Sequence, residues 1–420
     1  MKKLIALLLA VVMVLGVASM FAGCDEKTDE KGKVYYLNFK PEFDTALQDL
    51  AKKYTEKTGV EVKIVTAASG DYSNSLNANI EDITIFNIGN PAALADWDSY
   101  ALDLKDSAIA KELATNEFNL YNEAGELKAI GNCYESFGII VNTKLLKDAG
   151  YELSDIKDFA TLKAAAEDIH GRAATLGFDA FTTSGLQDSS SWRFSGHLAT
   201  LPLHYEGVDS AVPTIKGDKL DLFKNSWDLY INNAAADKTG LTGESDAAAE
   251  FKAGKAVFYQ NGTWEYAGLK AAGMTDDQLA MIPIYCGAEG EQNAALCSGT
   301  ENHWAVNAKA SKADQQASID FLVWLVSDAE ASAVYVEQLG AVPFKNCPAS
   351  TNKFVADGNA LLASGKTAIS WAFNYTPNVN SWRATVVTAL TAYSAGTGEW
   401  SAVEEAFVKG WEIEYKAVNG

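Results

Sequence analysis

The chain has 420 residues, of which 48% are hydrophobic and 21% are charged, a balance that excludes a wholly disordered protein. Lysine and arginine together number 34 against 55 aspartates and glutamates, so the formal net charge is −21. Because such a surface repels phosphate backbones, we expect no nucleic-acid partner. The length predicts roughly two or three domains.

Residues 1–23 have the pattern of a secretion signal. Lys2 and Lys3 precede the apolar run 4–17, which is too short to span a bilayer. The segment Phe21-Ala22-Gly23-Cys24 resembles a bacterial lipobox, which implies cleavage before Cys24 and a lipid on its sulfur. The alternative is an ordinary signal peptide followed by an incidental cysteine. Residues 24–33 predict a flexible tether, so we expect a protein held at the extracellular face of the bacterial cell membrane by its lipid alone.

The first elements after the tether alternate between strand and helix. Three strands and one intervening helix are predicted over Val34–Leu37, Pro41–Tyr54, Val60–Val65 and Asp82–Phe86. This order with short connections predicts a parallel α/β sheet. A long apolar strand over Glu135–Asn142 and a helix over Thr143–Asp148 follow.

The remainder of the chain predicts helices around a second α/β region. One strand is predicted over Ala256–Tyr259, and residues 178–188 are predicted to form a loop. Helical periodicity recurs in the segments Phe159–His170, Asn225–Ala236, Ala247–Ala253, Ile319–Val326, Ala331–Leu339, Val386–Tyr393 and Ala402–Tyr415. Cys286 and Cys297 flank a glycine-rich turn and could form a disulfide, with free buried thiols as the alternative.

Motifs for catalysis and metal binding are weak. Residues 360–367 end like a phosphate loop, but they lack its first glycine and extend a helix. The four histidines do not have helical zinc spacing, and there is no Cys-x-x-Cys. We therefore predict no metal, no cofactor and no enzymatic activity. A pair of distant carboxylates could still meet in space, which keeps a secreted glycoside hydrolase as the enzyme alternative.

Four segments in order, behind the lipobox, resemble the family 1 extracellular solute-binding proteins of ABC importers, in the carbohydrate-binding branch typified by maltose-binding protein. One pattern is a phenylalanine, a Gly-Lys-Ala turn, a buried strand and Gly-x-Trp, and another is a crossover strand followed by an Asn-x-x-Leu helix start. The segments are 251–264, 135–146, Leu339-Gly340-Ala341-Val342-Pro343 and Pro377-Asn378-Val379-Asn380-Ser381-Trp382.

The resemblance covers nearly the whole chain after Lys33 and implies a two-lobed α/β fold, each lobe a mixed, mostly parallel sheet flanked by helices. Lobe 1 would comprise residues 34–134 and 303–347, and lobe 2 residues 135–302 and 348–420. The chain would cross between lobes near residues 133–138, 298–304 and 343–350. A ligand cleft would lie between the lobes and would close by a hinge motion.

The family implies capture of a sugar, which we expect to be an oligosaccharide, and its delivery to the membrane permease by a monomeric binding protein. Aromatic rings can cover the apolar faces of a sugar, and planar polar groups can bind its hydroxyls in pairs. A non-sugar solute, either a peptide or a polyamine, is the alternative within the same fold.

Five candidate ligand residues are expected from lobe 2. Trp264 follows a strand through Gly262 and should face the cleft, with a core position as the alternative. Trp371, Phe373, Tyr375 and Trp382 crowd an irregular loop, from which we favour Tyr375 or Trp382, with packing in the core as the alternative for each. The Ser-rich loop before Trp192 and Arg193 lies where the family has lobe 2 contacts, with a surface cation–π pair as the alternative.

The remaining candidates come from lobe 1 and the first crossing. Glu135 lies seven residues before Asn142, the offset of the family's sugar-contacting acid, so the resemblance implies that role, with a hinge hydrogen bond as the alternative. Two loops leave the carboxyl ends of strands, where open α/β sheets bind ligands. They contribute Lys40, Glu42, Asn87 and Asn90, and Tyr72 could supply an aromatic that the second loop lacks.

Overall fold

The computed structural model describes residues 31–67, 69–234 and 246–420. The predicted signal segment, Cys24 and most of the tether lie outside these residues. Within them, no helix combines the length and the apolar character that a bilayer crossing requires.

The strands of the described residues form two separate sheets. In chain order they are β1 (Lys33–Asn38), β2 (Glu61–Thr66), β3 (Ile85–Asn87), β4 (Leu120–Tyr121), β5 (Leu127–Gly131), β6 (Glu135–Asn142), β7 (Asp179–Phe181), β8 (Ala256–Gly262), β9 (Leu279–Ile282), β10 (Ala294–Gly299), β11 (His303–Val306) and β12 (Thr367–Ser370).

The first sheet has the order β2-β1-β3-β11-β5-β4. Strand β1 pairs in parallel with β2 and β3, as the strand–helix–strand pattern predicts. Strand β11 returns from far along the chain and inserts antiparallel between β3 and β5. The residues just before His303 therefore lie at the end of a central strand in the same sheet as β1.

The second sheet has the order β12-β10-β6-β8-β7, and β9 also pairs with β6. Parallel pairing joins β10 to β12 and β7 to β8, whereas β6 runs antiparallel to β8, β9 and β10. Two mixed sheets flanked by helices confirm the predicted fold class. The expectation of mostly parallel pairing is not met, because β6 and β11 enter their sheets as antiparallel crossover strands.

Helices cover both sheets. Their bounds are Asp44–Thr58, Ser69–Asn79, Pro91–Trp97, Thr143–Asp148, Phe159–Gly171, Ala173–Leu176, Ala199–Glu206, Leu220–Asn232, Ala247–Lys252, Glu265–Ala271, Lys312–Ser327, Ala329–Leu339, Lys353–Ala363, Val379–Ser394 and Trp400–Asn419.

Local signals set several of these boundaries. The Asn142 side chain accepts a hydrogen bond from Leu145 N at 3.1 Å, so the Asn-x-x-Leu start is a helix N-cap at the end of β6. Asp158 and Thr161 form a capping box that begins the next long helix. Gly59 ends the first long helix in the left-handed conformation at φ 71°, which suits a residue without a Cβ.

Each sheet has its own hydrophobic core. Trp304 of β11 is buried in the first core and donates through Nε1 to Tyr36 Oη at 2.8 Å. Trp227, Trp382 and Trp411 are fully buried in the second. Cys286 and Cys297 are both buried there as free thiols.

The predicted elements differ from the observed ones chiefly at their ends and in short strands. Residues 178–188, predicted to be a loop, contain β7 (Asp179–Phe181). The short strands β4, β5 and β9–β12 were not predicted, because runs of two to six residues give little periodicity. The helix predicted over Val386–Tyr393 begins earlier, at Val379, and so includes Trp382.

Candidate functional site

A cavity of about 390 Å³ lies where the two sheets meet. One side is the turn after β1, and the floor holds the first residue of β6 and the connection between β10 and β11. The opposite side comes from the second sheet and its helices. The lining residues are Phe39, Lys40, Pro41, Glu42, Glu135, Ser190, Trp192, Arg193, His197, Asp246, Ala247, Ala248, Tyr259, Asn261, Trp264, Glu265, Glu301, Asn302, Trp371 and Phe373.

The backbone segments that connect the two sheets lie side by side beneath this cavity. Asn132 N donates to Asn302 O at 2.8 Å, and Tyr134 N donates to Ala341 O at 2.8 Å. These bonds join the residues before β6 to the residues before β11 and to the segment after the helix Ala329–Leu339. If one sheet rotated against the other, these three neighbouring connecting segments would therefore bend at the same place.

An ion pair occupies the floor of the cavity. Lys40 Nζ lies 2.6 Å from Glu135 Oε1 and 3.1 Å from Glu42 Oε1, and Asn302 Nδ2 donates to Glu135 Oε2 at 2.9 Å. The turn that presents Lys40 is held by Asn38, whose Nδ2 donates to Lys40 O at 2.7 Å. Lys40, Glu135 and Asn302 thus link the turn after β1, the start of β6 and the β10–β11 connection.

The electrostatics of this pair follow from its burial. Burial opposes the charged form of Lys40, but the nearby carboxylates of Glu135 and Glu42 outweigh it and hold the pKa of Lys40 well above its usual value. Burial also raises the pKa of Glu135, and Lys40 offsets only part of that rise. Both oxygens of Glu135 have protein partners, so the residue lines the cavity and also makes hydrogen bonds of the kind that the alternative interpretation gave it.

Trp264 lines the opposite wall, and the glycine before it explains its position. A Cβ at Gly262 would lie 2.2 Å from the Trp264 ring, so the ring can fold over the end of β8 only because residue 262 has no side chain. The Lys40 ammonium lies 5.9 Å from the ring centroid, on the cavity side. Trp264 therefore offers a partly exposed aromatic surface between the strand end and the ion pair.

Trp192 contributes a second ring, and Arg193 has a different role. Trp192 is partly exposed, and the Arg383 guanidinium lies 3.5 Å from its ring centroid. Arg193 is buried, and it donates to Gln260 O at 2.7 Å and Thr183 O at 3.1 Å. A third bond runs from Nη2 to Thr182 Oγ1 at 3.3 Å, so although Arg193 lines the cavity, its guanidinium is engaged by the protein itself.

Trp371 and Phe373 enter the cavity from the irregular loop that the sequence analysis singled out. Trp371 follows β12 directly and packs over Gly299, where a Cβ would lie 2.9 Å from the ring. Its Nε1 donates to Cys297 O at 3.0 Å. Phe373 lies 5.0 Å from Trp371 and 5.7 Å from Trp192 between ring centroids. The loop therefore does supply cavity aromatics, but not the two we favoured.

Tyr375 and Trp382 do not line the cavity. Tyr375 donates to Val208 O at 2.7 Å. Trp382 is 1% exposed, packs edge-to-face on Phe407 and donates to Phe407 O at 2.9 Å. Trp382 lies in the second turn of a long helix whose inner face is core, which explains its burial.

Three candidates from the first sheet also lie outside the cavity lining, each bound to its own neighbourhood. Tyr72 is buried and its Oη accepts from Asn87 N at 2.6 Å while donating to Leu37 O at 3.1 Å. Asn87 Nδ2 donates to Glu301 O at 2.9 Å. Asn90 is the N-cap of the helix Pro91–Trp97 and accepts from Ala93 N. Of the eleven candidates, the structure brings together Lys40, Glu42, Glu135, Trp192, Arg193 and Trp264.

Several polar residues of the cavity were not among the residues predicted from the sequence. His197 follows the Trp192 loop in a π-helical segment, and burial lowers its pKa to about 3, so it is neutral. Glu265 accepts from Asn261 Nδ2 at 3.0 Å, and burial raises its pKa. Glu301 and Asn302 sit in the β10–β11 connection, and no motif marks them. In the described ranges there is no cluster of three or more metal-ligating side chains.

The comparisons with known proteins agree with this architecture. The model of the family described as bacterial extracellular solute-binding protein matches residues 49–385. No curated protein matches the chain in sequence. Proteins of this family are non-enzymatic binding proteins, which confirms the prediction that the chain is not an enzyme.

Solved structures of such proteins share the fold. A sugar transporter protein of Bacillus licheniformis in complex with stachyose has a TM-score of 0.69 at 17% identity, covering 91% of this chain and 99% of that one. The GacH receptor of Streptomyces glaucescens, solved unliganded and with acarbose, has a TM-score of 0.64 at 20% identity, with coverages of 92% and 98%. A family 1 extracellular solute-binding protein from Bifidobacterium longum subsp. infantis has a TM-score of 0.60 at 16% identity, with coverages of 92% and 100%.

Proposed function

The chain belongs to the bacterial extracellular solute-binding protein family, and from this premise we propose that it captures a sugar between its two sheets and delivers it unaltered to the permease of an ABC importer. The observation that carries the proposal is the cavity wall of Trp192, Trp264, Trp371 and Phe373, which faces a floor of polar groups. Aromatic rings on one side and hydrogen-bonding groups on the other match the apolar faces and hydroxyls of a sugar ring.

The size of the cavity bears on the length of the sugar. A volume of about 390 Å³ lies near the lower end of the roughly 300–1,000 Å³ of small-molecule sites. A short oligosaccharide fits this volume better than a long chain. The solved relatives with stachyose and acarbose also bind short saccharides, which supports the same class of ligand here.

The two sheets would act as lobes, lobe 1 of residues 34–134 and 303–347 and lobe 2 of residues 135–302 and 348–420. Crossings near 133–138, 298–304 and 343–350 would form the hinge. The hydrogen bonds that join residues 132, 134, 302 and 341 support this assignment. A sugar bound to both lobes would stabilise the closed form, which the permease would recognise.

The protein would act as a monomer, anchored at the extracellular face of the membrane through a lipid on Cys24. The lipobox-like Phe21-Ala22-Gly23-Cys24 supports the anchor. Mass spectrometry of the protein expressed in a lipoprotein-processing bacterium should show a diacylglyceryl adduct, and Cys24→Ser should abolish it. Release of wild-type protein into the medium without lipid would contradict the anchor while leaving sugar binding untouched.

The function is tested by calorimetric titration of the purified protein with short oligosaccharides. We expect saturable binding with the sugar recovered intact, whereas new reducing ends would support the hydrolase alternative. Tight binding of a peptide or of spermidine, with no response to any sugar, would favour the non-sugar alternative.

Two variants connect that binding to the cavity. Trp264→Ala should lower the affinity for the best-binding sugar by about tenfold or more, because the variant loses the stacking surface of the ring. The control is Trp324→Ala, which removes a partly exposed ring from the helix Lys312–Ser327, outside the cavity. Glu135→Gln should weaken binding, while Glu330→Gln, which breaks the exposed pair with Lys53, should not. Full affinity in Trp264→Ala would contradict the proposed site.

A further inference from the structure

Glu301 is held through its backbone, and within the described part of the chain no hydrogen bond or ion pair holds its side chain. Its carbonyl oxygen accepts from Asn87 Nδ2 at 2.9 Å. Its carboxylate lines the cavity, and among the residues that the structure describes it has neither a hydrogen bond nor an ion pair within 4 Å. A partly buried carboxylate without a hydrogen bond or ion pair is unfavourable, because the charges of Lys40 and Arg383 offset only part of the hydration that it loses.

The charges around Glu301 leave the cavity with an excess of acid. Five carboxylates line it, from Glu42, Glu135, Asp246, Glu265 and Glu301, against the cations Lys40 and Arg193. Lys40 is engaged by Glu42 and Glu135, and Arg193 by backbone carbonyls. Arg383 acts on Glu301 electrostatically, but it bonds to Ser191 and Ser195.

Asn302 adds a second acceptor that lacks a donor. Its side chain lines the cavity and is 2% exposed. Its Nδ2 donates to Glu135, whereas its Oδ1 has no partner within the described ranges. A buried carbonyl oxygen without a donor is destabilising. Two neighbouring residues, Glu301 and Asn302, therefore present acceptors that a ligand with several N–H donors would satisfy.

Resting on the proposed function, we propose that the sugar bound in this cavity carries a protonated amino group, and that Glu301 and Asn302 Oδ1 accept its N–H donors. An ammonium supplies three donors and a positive charge that offsets the excess of acids over cations in the lining. The sugar ring still uses the aromatic wall, and an amine near Trp264 gains a cation–π attraction as well. A neutral sugar can donate hydroxyl hydrogen bonds to the same acceptors, but it brings no positive charge to offset the acids.

The proposal predicts the sign of the pH dependence. Burial raises the pKa of Glu301 to about 7, with Lys40 and Arg383 lowering it and Glu135 raising it. The ammonium favours the ionised carboxylate, so binding below this pKa must expel a proton. Affinity for an amino sugar should therefore rise as pH increases through about 7, until the amine of the ligand itself loses its proton.

The test compares sugars that differ in one substituent. Cellobiose, N,N′-diacetylchitobiose and fully deacetylated chitobiose carry a hydroxyl, an acetamido or an amino group on the same ring carbon. Glucose, N-acetylglucosamine and glucosamine, with the corresponding galactose set, extend the series to other rings. Calorimetry with the purified protein near neutral pH should show the amino member of a set binding about tenfold or more tighter than its neutral counterparts.

Glu301→Gln, which keeps the shape and removes the charge, should abolish this preference by weakening the binding of the amino member of each set more than that of its neutral counterparts. Glu289→Gln, an exposed acid outside the cavity, is the matched control and should behave as wild type. Equal or tighter binding of the neutral members, or a preference that survives in Glu301→Gln, would overturn the proposal and leave sugar capture standing. If no sugar of any kind binds, both this proposal and the proposed function fail.

Discussion

The dipeptide Trp–Arg occurs twice, as Trp192-Arg193 and Trp382-Arg383, and the two copies have opposite arrangements. In the first, the tryptophan lines the cavity and the arginine is buried against backbone carbonyls. In the second, the tryptophan is buried in the core, and the arginine reaches the ring of Trp192. A cavity tryptophan is thus supported by the arginine of the other pair, nearly 200 positions away in the chain.

This exchange shows what decides the role of an aromatic residue. Trp382 faces inward on a helix that packs on the helix Trp400–Asn419, so its ring meets Phe407 and Trp411. Trp192 precedes a π-helical turn and is held at the cavity edge by Gly196, where a Cβ would lie 2.7 Å from the ring. Both tryptophans stand between a serine and an arginine in the sequence, but their side chains point in different directions, one to the cavity and one to the core.

The largest effect is expected from Trp382→Ala. Removing a fully buried indole leaves a cavity in the second core and also leaves the carbonyl of Phe407 without its donor. The free energy of unfolding should fall by about 3–5 kcal/mol. Urea denaturation measures this, and sugar affinity of the folded fraction should stay near the wild-type value. A loss below about 1 kcal/mol would contradict the core assignment of Trp382.

The buried arginine should give the next largest loss. Arg193→Met keeps much of the volume but leaves the carbonyl oxygens of Gln260 and Thr183 without charged donors. We expect the free energy of unfolding to fall by about 2–3 kcal/mol. Arg383→Met is the comparison, and it should cost less because the oxygens that lose a donor belong to serine hydroxyls, which can reorient, whereas the backbone carbonyls at Arg193 cannot. Equal losses in the two variants would remove the distinction between the arginines.

How far the sequence could predict this site depends on the kind of signal. Trp264 was predicted because a strand followed by Gly-x-Trp places one ring at a strand end, and Gly262 is what allows the ring to fold back. The choice of Tyr375 and Trp382 over Trp371 and Phe373 did not match the cavity lining. The sequence of an aromatic-rich loop does not reveal which side chains point to the cavity and which to the core. Glu301 could not be predicted, since the proposal for it depends on the absence of a hydrogen bond or ion pair to its carboxylate among the described residues, which only the three-dimensional structure reveals.

Trp192→Ala should separate binding from stability. The ring is partly exposed, so its removal should lower the free energy of unfolding by less than Trp382→Ala does. Because a stacking surface is lost, the affinity for the best-binding sugar should fall by about tenfold. Parallel calorimetry and urea denaturation of Trp192→Ala and Trp382→Ala test the comparison directly. If Trp192→Ala binds sugar normally, the ring belongs to the surface cation–π pair that the sequence left as an alternative.

The smallest effect concerns the support behind Trp192. Arg383→Lys keeps the charge but loses the planar stack on the ring and the donors to Ser191 and Ser195, because an ammonium cannot reproduce the guanidinium fork. Cation–π contacts of this kind contribute about 0.5–1 kcal/mol at exposed positions, so sugar affinity should fall by about two- to fivefold. In the Trp192→Ala background the same substitution should have no further effect on affinity, since the ring that it supports is gone. An undiminished loss in that background would mean that Arg383 acts on the ligand through Glu301 instead of through Trp192.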